Sequence, residues 1–215
     1  MKHLLMLIAA LTLLASVASA EIVSVEMIGS VEWNQVNQGI FADVNSGDAF
    51  YAGFTLDSTV WEDSPNGYGI RAYPIDVASF ELTIGSVGPI YLVNPQPNGE
   101  TTYFHIRNDD PGVDGLLISN QLEWDYNLPK LDVPGGIDPY FTLIWSIGYT
   151  EETFSSLDIL DAVGTYDFTG LTSFYCGIKD AFADPIGLIP EMTIISYPSV
   201  PVEEASFGSV KALYR

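Results

Sequence analysis

The chain has 215 residues, of which 28 are Asp or Glu and 7 are Lys or Arg, so its formal net charge is -21. A surface this acidic repels phosphate backbones and anionic lipid headgroups, which argues against nucleic-acid binding and against attachment to an anionic membrane. The length suits one domain with a sizeable core.

Residues 1–20 have the three parts of a signal peptide. Lys2 provides the positive start, residues 4–15 form an uncharged run, and Ala18-Ser19-Ala20 is a small-x-small cleavage pattern. The apolar run is too short to cross a hydrocarbon core about 30 Å thick. The sequence therefore predicts a secreted, extracellular or cell-envelope protein that starts at Glu21 and has no integral membrane span after cleavage. An uncleaved N-terminal anchor is the alternative.

Alternation of apolar and polar residues dominates residues 21–197 and predicts strands with one face on a core. Turn-forming Gly, Pro, Asn and Asp separate the alternating runs. Together they predict an all-β fold, a single antiparallel β-sandwich of the jelly-roll kind. Only residues 151–163 suggest a short helix. The residues expected to face the core are Val23, Val25, Met27, Val31, Trp33, Phe50, Ala52, Phe54, Leu56, Phe80, Leu82, Ile84, Phe104, Ile106, Phe141, Leu143, Trp145, Ile147 and Tyr149.

Aromatic residues in apparent loops are candidates for sugar binding, because exposed rings can stack on sugar faces. Rings that are half-buried at the ends of a sandwich core are the alternative. The candidate carbohydrate-binding residues are Trp61, Tyr68, Tyr73, Trp124 and Tyr126.

Acidic turns are the best candidates for a metal site. Asn108, Asp109, Asp110 and Asp114 place four oxygen-bearing side chains in one turn, and oxygen is the ligand that Ca²⁺ prefers. Residues 43–48 form a second such loop, although it lacks the order of an EF-hand. Ordinary solvated loops are the alternative, so calcium is the only cofactor that the sequence suggests.

Catalytic residues are sparse in the predicted mature chain. His105 and Cys176 are its only histidine and cysteine, which cannot fill the usual zinc ligand set. We expect His105 to be exposed on a strand and Cys176 to be a buried thiol. Residues 123–125, Glu-Trp-Asp, are similar to the core of jelly-roll glycosidases but lack the further glutamate of that pattern. No enzymatic activity is predicted.

Residues 198–215 are predicted to be an extended linker and a short tail. Pro198 and Pro201 suit a spacer, and Lys211 and Arg215 bring two basic residues into the last five positions. A tag for sorting or docking is one interpretation, and a final strand or a frayed end is the other.

Several motifs resemble exported bacterial proteins of the PEP-CTERM type. The resemblance rests on residues 52–57 (Ala-Gly-Phe-Thr-Leu-Asp), 79–85 (Ser-Phe-Glu-Leu-Thr-Ile-Gly), 106–109 (Ile-Arg-Asn-Asp) and 153–156 (Thr-Phe-Ser-Ser). The Pro-Glu-Pro anchor of that family is absent from the sequence. The resemblance implies an exported sandwich ectodomain that is associated with a surface or matrix, without defined catalytic residues.

The sequence therefore predicts a secreted or cell-surface, non-enzymatic protein of structural or matrix type, stabilised by Ca²⁺. Extracellular polysaccharide and envelope or matrix proteins are the expected partners. A carbohydrate-binding module is the alternative function, and a glycoside hydrolase or lyase is a weaker one.

Overall fold

The computed structural model describes residues 21–37, 39–66, 69–109, 112–122, 127–133, 141–150, 152–167, 169–179 and 186–197. The predicted signal peptide and tail lie outside these ranges, as do Tyr68, Asp110, Trp124 and Tyr126.

Strands make up most of the described chain, which confirms the all-β prediction. Residues 152–163 form turns rather than the suggested helix, and two short 3-10 turns lie at Val77–Ser79 and Pro97–Gly99. No helix in the described ranges has the length and apolarity needed to cross a membrane. The strands are β1 (Ile22–Asn34), β2 (Ala49–Asp57), β3 (Glu62–Asp63), β4 (Ile70–Pro74), β5 (Glu81–Ile84), β6 (Val87–Leu92), β7 (Tyr103–Arg107), β8 (Val113–Ser119), β9 (Leu131–Asp132), β10 (Thr142–Thr150), β11 (Gly164–Tyr166), β12 (Leu171–Lys179) and β13 (Ile186–Ser196).

The strands form one antiparallel sheet that curls into a half-barrel. Its order is β3-β4-β7-β8-β10-β12-β13-β1-β2-β5-β6-β9, with β11 also paired to β13. In a flat sheet, β2 and β7 would be separated by about 29 Å, because neighbouring strands are about 4.8 Å apart. Their rings at Phe54 and Phe104 are instead 5.5 Å apart, and Leu56 of β2 bridges to Ile75 just after β4.

Apolar residues on the concave side explain the curl. Every residue of the predicted inward-facing sets is buried except Trp33 and Phe141. Phe50 of β2 stacks on Trp145 of β10 at 5.6 Å, so side chains from distant strands share one interior. Burying each such side chain stabilises the fold by about 1.5–3 kcal/mol.

Trp33 departs from the prediction because β1 is irregular near its end. The register between β1 and β13 shifts between Val31 and Trp33, so alternation is broken at Glu32. A bulge of this kind redirects the side chains that follow it. Trp33 is consequently 42% exposed, although Val23, Val25 and Met27 on the same strand are fully buried.

His105 is buried, which corrects the expectation of an exposed histidine. It lies on the β7 face opposite Phe104 and Ile106, as predicted, but its cross-strand neighbours Ala72 and Leu117 are also buried. Within the described part of the chain, neither ring nitrogen has a hydrogen-bond partner. Burial lowers the pKa of His105 to about 4, and the nearby backbone of Gln121, outside good hydrogen-bond geometry, opposes that shift.

Acid should therefore destabilise the protein partly through His105. As the pH falls below about 6.5, the unfolded chain binds a proton on this residue, whereas the folded chain does so only near pH 4. The stability present above pH 6.5 is thus lost as the pH falls through this window, by about 2–3 kcal/mol. Urea unfolding of the mature chain and of His105→Leu at pH 7, 5.5 and 4 measures the difference. Parallel pH dependence in the two proteins would contradict this account.

Candidate functional site

Asp114, one of the predicted calcium ligands, holds the backbone of two loops together. It is fully buried, its Oδ1 accepts a hydrogen bond from the Asp109 amide at 2.9 Å, and its Oδ2 accepts one from the Phe154 amide at 2.6 Å. These bonds tie the β7–β8 turn to the loop that follows β10. Both carboxylate oxygens are therefore engaged by backbone N–H groups.

Calcium binding by the remaining residues stays a prediction. Asp110 lies outside the described residues, and Asp109 adopts a positive φ of 53° in the turn. In the second acidic loop, Asp48 Oδ2 accepts the Asn45 amide at 2.8 Å. Within the described ranges, no three His, Cys, Asp or Glu side chains come together as a metal site.

Asp114→Asn should destabilise the fold whether or not Ca²⁺ is present. The amide can replace only one of the two acceptors, so a buried N–H loses its partner at a cost of about 2–3 kcal/mol. We expect the melting temperature to fall by about 5–10 °C, equally in millimolar Ca²⁺ and in chelator. Asp48→Asn, in a partly exposed turn, is the matched control and should change it much less. A loss for Asp114→Asn that disappears in chelator would instead identify Asp114 as a calcium ligand.

Two of the five predicted sugar-binding residues are described, and they differ in exposure. Trp61 is 44% exposed, and Arg71 lies over its ring with Cζ 3.7 Å from the centroid. Tyr73 is instead fully buried, which removes it from a sugar-binding surface. Its hydroxyl donates to the Leu157 carbonyl at 2.8 Å and accepts from the Ile159 amide at 3.0 Å, because the loop after β10 folds over it.

Arg71 covers one face of the Trp61 ring, and the acidic residues Glu62 and Asp63 follow Trp61 in the chain. Arg71 donates two hydrogen bonds to Asp63, at 2.7 and 3.2 Å, and the Tyr103 hydroxyl donates to Glu62 Oε1 at 3.1 Å. An exposed ring beside ordered charged groups can offer both stacking and hydrogen bonding to a ligand.

A gap between β12 and β13 is the feature that sequence reasoning missed. The two strands pair only through Gly177 with Gly187 and through Ile178 with Ile186. Farther along β13, Thr193 to Ile195 pair with β11 instead. The side of β12 that faces β13 over residues 171–174 is therefore not paired to β13, and we call it the open edge.

Exposure along β12 agrees with an open edge. Thr172, Ser173, Phe174 and Tyr175 are exposed in succession, so both faces of the strand reach solvent. Phe174 is 46% exposed although it lies opposite the buried Ile147 of β10. The run of adjacent apolar residues in Phe174-Tyr175-Cys176 breaks the alternation of a half-buried strand, and this was the available sequence signal.

A cavity of about 100 Å³ lies at the closed end of the gap. Trp33, Phe174, Cys176 and Leu188 line it together with Gly187, over which the Trp33 ring lies. A Cβ at Gly187 would be 2.4 Å from that ring, so any larger residue there would have to displace Trp33. The volume is below the roughly 300–1,000 Å³ of small-molecule sites, but it suits part of a side chain.

Cys176 forms part of the cavity wall as an unreactive thiol. It is buried, as predicted, and its Sγ lies 3.8 Å from the Ser146 carbonyl. Burial raises the pKa of Cys176 to about 12, so the nucleophilic thiolate is scarce at neutral pH.

The charge around the gap is negative. Glu32 lines the cavity described above, and the exposed Asp167 and Glu191 line a smaller one farther along the gap. Among the described residues, no Lys or Arg lines either cavity, and the nearest basic residue along β12 is Lys179 at its end. A third depression, of about 400 Å³, lies beside residues 86–90, and its described lining residues are all uncharged.

Comparisons of the chain with protein-family models, curated proteins and solved structures find no match. The resemblance to PEP-CTERM-type ectodomains therefore stays a prediction from the sequence.

Proposed function

We propose that the chain works outside the cytoplasm as a non-enzymatic surface or matrix protein that assembles by accepting an extended peptide strand along the open edge of β12. The observation that carries this proposal is the limited pairing of β12 with β13, through Gly177 and Ile178 alone. An added strand would supply the backbone hydrogen bonds that β13 does not.

The contrast with the ends of the sheet supports this proposal. Natural sheets protect their terminal strands from unwanted pairing by keeping them short and charged. The end strands here, β3 (Glu62–Asp63) and β9 (Leu131–Asp132), have two residues each and carry acidic side chains. The open edge, residues 171–174, is Leu-Thr-Ser-Phe and has no charge. It therefore lacks the charged side chains that oppose pairing at the end strands, although the register of β12 against β10 shifts at Thr172, between Leu171 and Ser173.

The seam cavity, which is the cavity lined by Trp33, Phe174 and Leu188, would add specificity. In strand addition, main-chain hydrogen bonds provide affinity, and pockets beside the strand select alternate side chains. A volume of about 100 Å³ fits this use better than it fits a small-molecule ligand.

The proposal also includes export of the chain and a sandwich architecture for the curled sheet. β1 begins at Ile22, directly after the predicted cleavage site, and the Glu21 carbonyl already accepts a hydrogen bond from the Ser58 amide at 3.0 Å. We interpret the two facing parts of the curled sheet, which meet at Phe50 and Trp145, as the layers of a sandwich.

Retention at the cell surface or in the matrix tests the proposal. Thr172→Lys places a charge on the open edge at an exposed position, so it should block pairing. Thr172→Val controls for the hydrogen bond from Thr172 Oγ1 to the Gly148 carbonyl at 3.0 Å, which both variants lose, and should be retained. In the source cells, we expect the ratio of protein in the medium to protein in the cell-bound fraction to be severalfold higher for Thr172→Lys than for the native chain. Tyr91→Lys, which changes a ring 46% exposed on β6, is the matched control and should be retained. N-terminal sequencing should find Glu21 first. Equal retention of Thr172→Lys and the native chain would refute strand addition.

Carbohydrate binding is a second candidate, favoured by the exposed Trp61 ring and its polar neighbours Glu62, Asp63 and Arg71. Loss of a stacking ring should weaken polysaccharide binding, so Trp61→Ala should migrate faster than the native chain in polysaccharide-containing affinity gels. Tyr91→Ala is the control for loss of an exposed ring. If neither the native chain nor the variants are retarded by any polysaccharide, this candidate is wrong.

A further inference from the structure

We infer that the strand accepted at the open edge is residues 210–215 of a second copy of this chain. This inference rests on the proposed function and names its partner. Three observations support it: the pattern of that segment, the distribution of charge, and the position of β11.

Residues 210–215, Val-Lys-Ala-Leu-Tyr-Arg, have the pattern of a strand with two different faces. When extended, Val210, Ala212 and Tyr214 fall on one side, whereas Lys211 and Arg215 fall on the other with Leu213. Six residues extend about 20 Å, which covers the open edge and reaches the paired Gly177. The apolar side could then contact the exposed Phe174 ring.

Charge favours this segment over the rest of the chain. Without Lys2, the chain has 6 basic and 28 acidic residues, so two copies repel each other as whole bodies. Residues 206–215 contain two of these basic residues and no acidic one. The gap that would receive them is flanked by Glu32, Asp167 and Glu191. The contact therefore places the basic part of one copy against an acidic part of another.

The position of β11 favours a second copy over the same copy. β13 runs past the gap and then pairs with β11 through Thr193, Ile194 and Ile195 before the described chain ends at Tyr197. The segment of the same copy would have to turn back across β11 to reach the gap. Residues 198–209 could instead extend by about 37 Å if they adopt the extended conformation that prolines favour, which is enough to reach a neighbour.

A contact between the tail of one copy and the edge of the next is heterologous. Because donor and acceptor surfaces differ, each copy can use both, and the assembly grows into a ring or an open filament. Such growth suits a surface or matrix protein.

Donor and acceptor variants of the full mature chain test the inference by sedimentation velocity at about physiological salt. Thr172→Lys should be able to donate residues 210–215 to another copy but not to accept a strand at its own open edge. The double variant Lys211→Glu with Arg215→Glu should be able to accept a strand but not to donate one. Each alone should remain monomeric at concentrations where the native chain assembles. An equimolar mixture of the two should form a dimer that does not grow. The charge-preserving double variant Lys211→Arg with Arg215→Lys should assemble as the native chain does.

The outcomes separate the inference from the proposed function. If the Lys211→Glu, Arg215→Glu variant assembles normally while Thr172→Lys does not, another strand occupies the edge and only this inference fails. If the native chain is monomeric at every concentration, the inference also fails, and the retention experiment alone decides the proposed function. If Thr172→Lys assembles like the native chain, self-assembly does not use the open edge and the inference is again overturned.

Discussion

The need of every strand for hydrogen-bonded neighbours governs this molecule. A backbone N–H or C=O that is withdrawn from water without a partner costs free energy, so strands in a sheet pair along both sides. Here β1 pairs with β13 from Ser24 to Asn34 and with β2 from Ile22 to Ser30. β12 is different, since its pairing to β13 stops after Gly177 and Ile178. The proposed function follows from that interruption.

Burial of aromatic and aliphatic side chains explains why the interruption is tolerated. The interior gathers Phe50, Phe54, Phe104 and Trp145 from strands that lie far apart in the sheet, so the fold does not depend on continuous pairing between β12 and β13. Asp114 adds a polar clamp at one end by holding two loops through their amides. Stability and the open edge thus arise from separate parts of the molecule.

Alternation in the sequence predicted the buried residues well, because burial of one strand face determines both the alternating pattern and the composition of the interior. Val23, Val25 and Met27 illustrate this agreement. Prediction failed where a nonlocal contact decides the outcome. Trp33 is turned outward by a bulge that appears only in the pairing with β13, and Tyr73 is covered by a loop more than eighty residues later in the chain.

The candidate site was hidden for the same reason. Nothing local in residues 171–174 says which strand will lie beside them, and the cavity needs Trp33, Phe174 and Gly187 from three strands. The acidic turn at residues 108–114 was visible in the sequence, but the buried role of Asp114 depends on the amide of Phe154, forty residues away. The sequence suggested metal binding at that turn, whereas in the structure the Asp114 carboxylate accepts hydrogen bonds from the backbone of two loops.

Residue-resolved hydrogen exchange of the dilute mature chain tests the open edge most directly. In a regular antiparallel ladder, alternate residues of β12 bond to β10 and the others point toward β13, and the register shift between Leu171 and Ser173 interrupts that alternation at Thr172. We predict that the amides of residues 171–174 that point toward β13 exchange at least about 100-fold faster than those of Gly177 and Ile178, because no strand in the described part of the chain pairs with them on that side. Uniformly slow exchange along all of β12 would contradict the account.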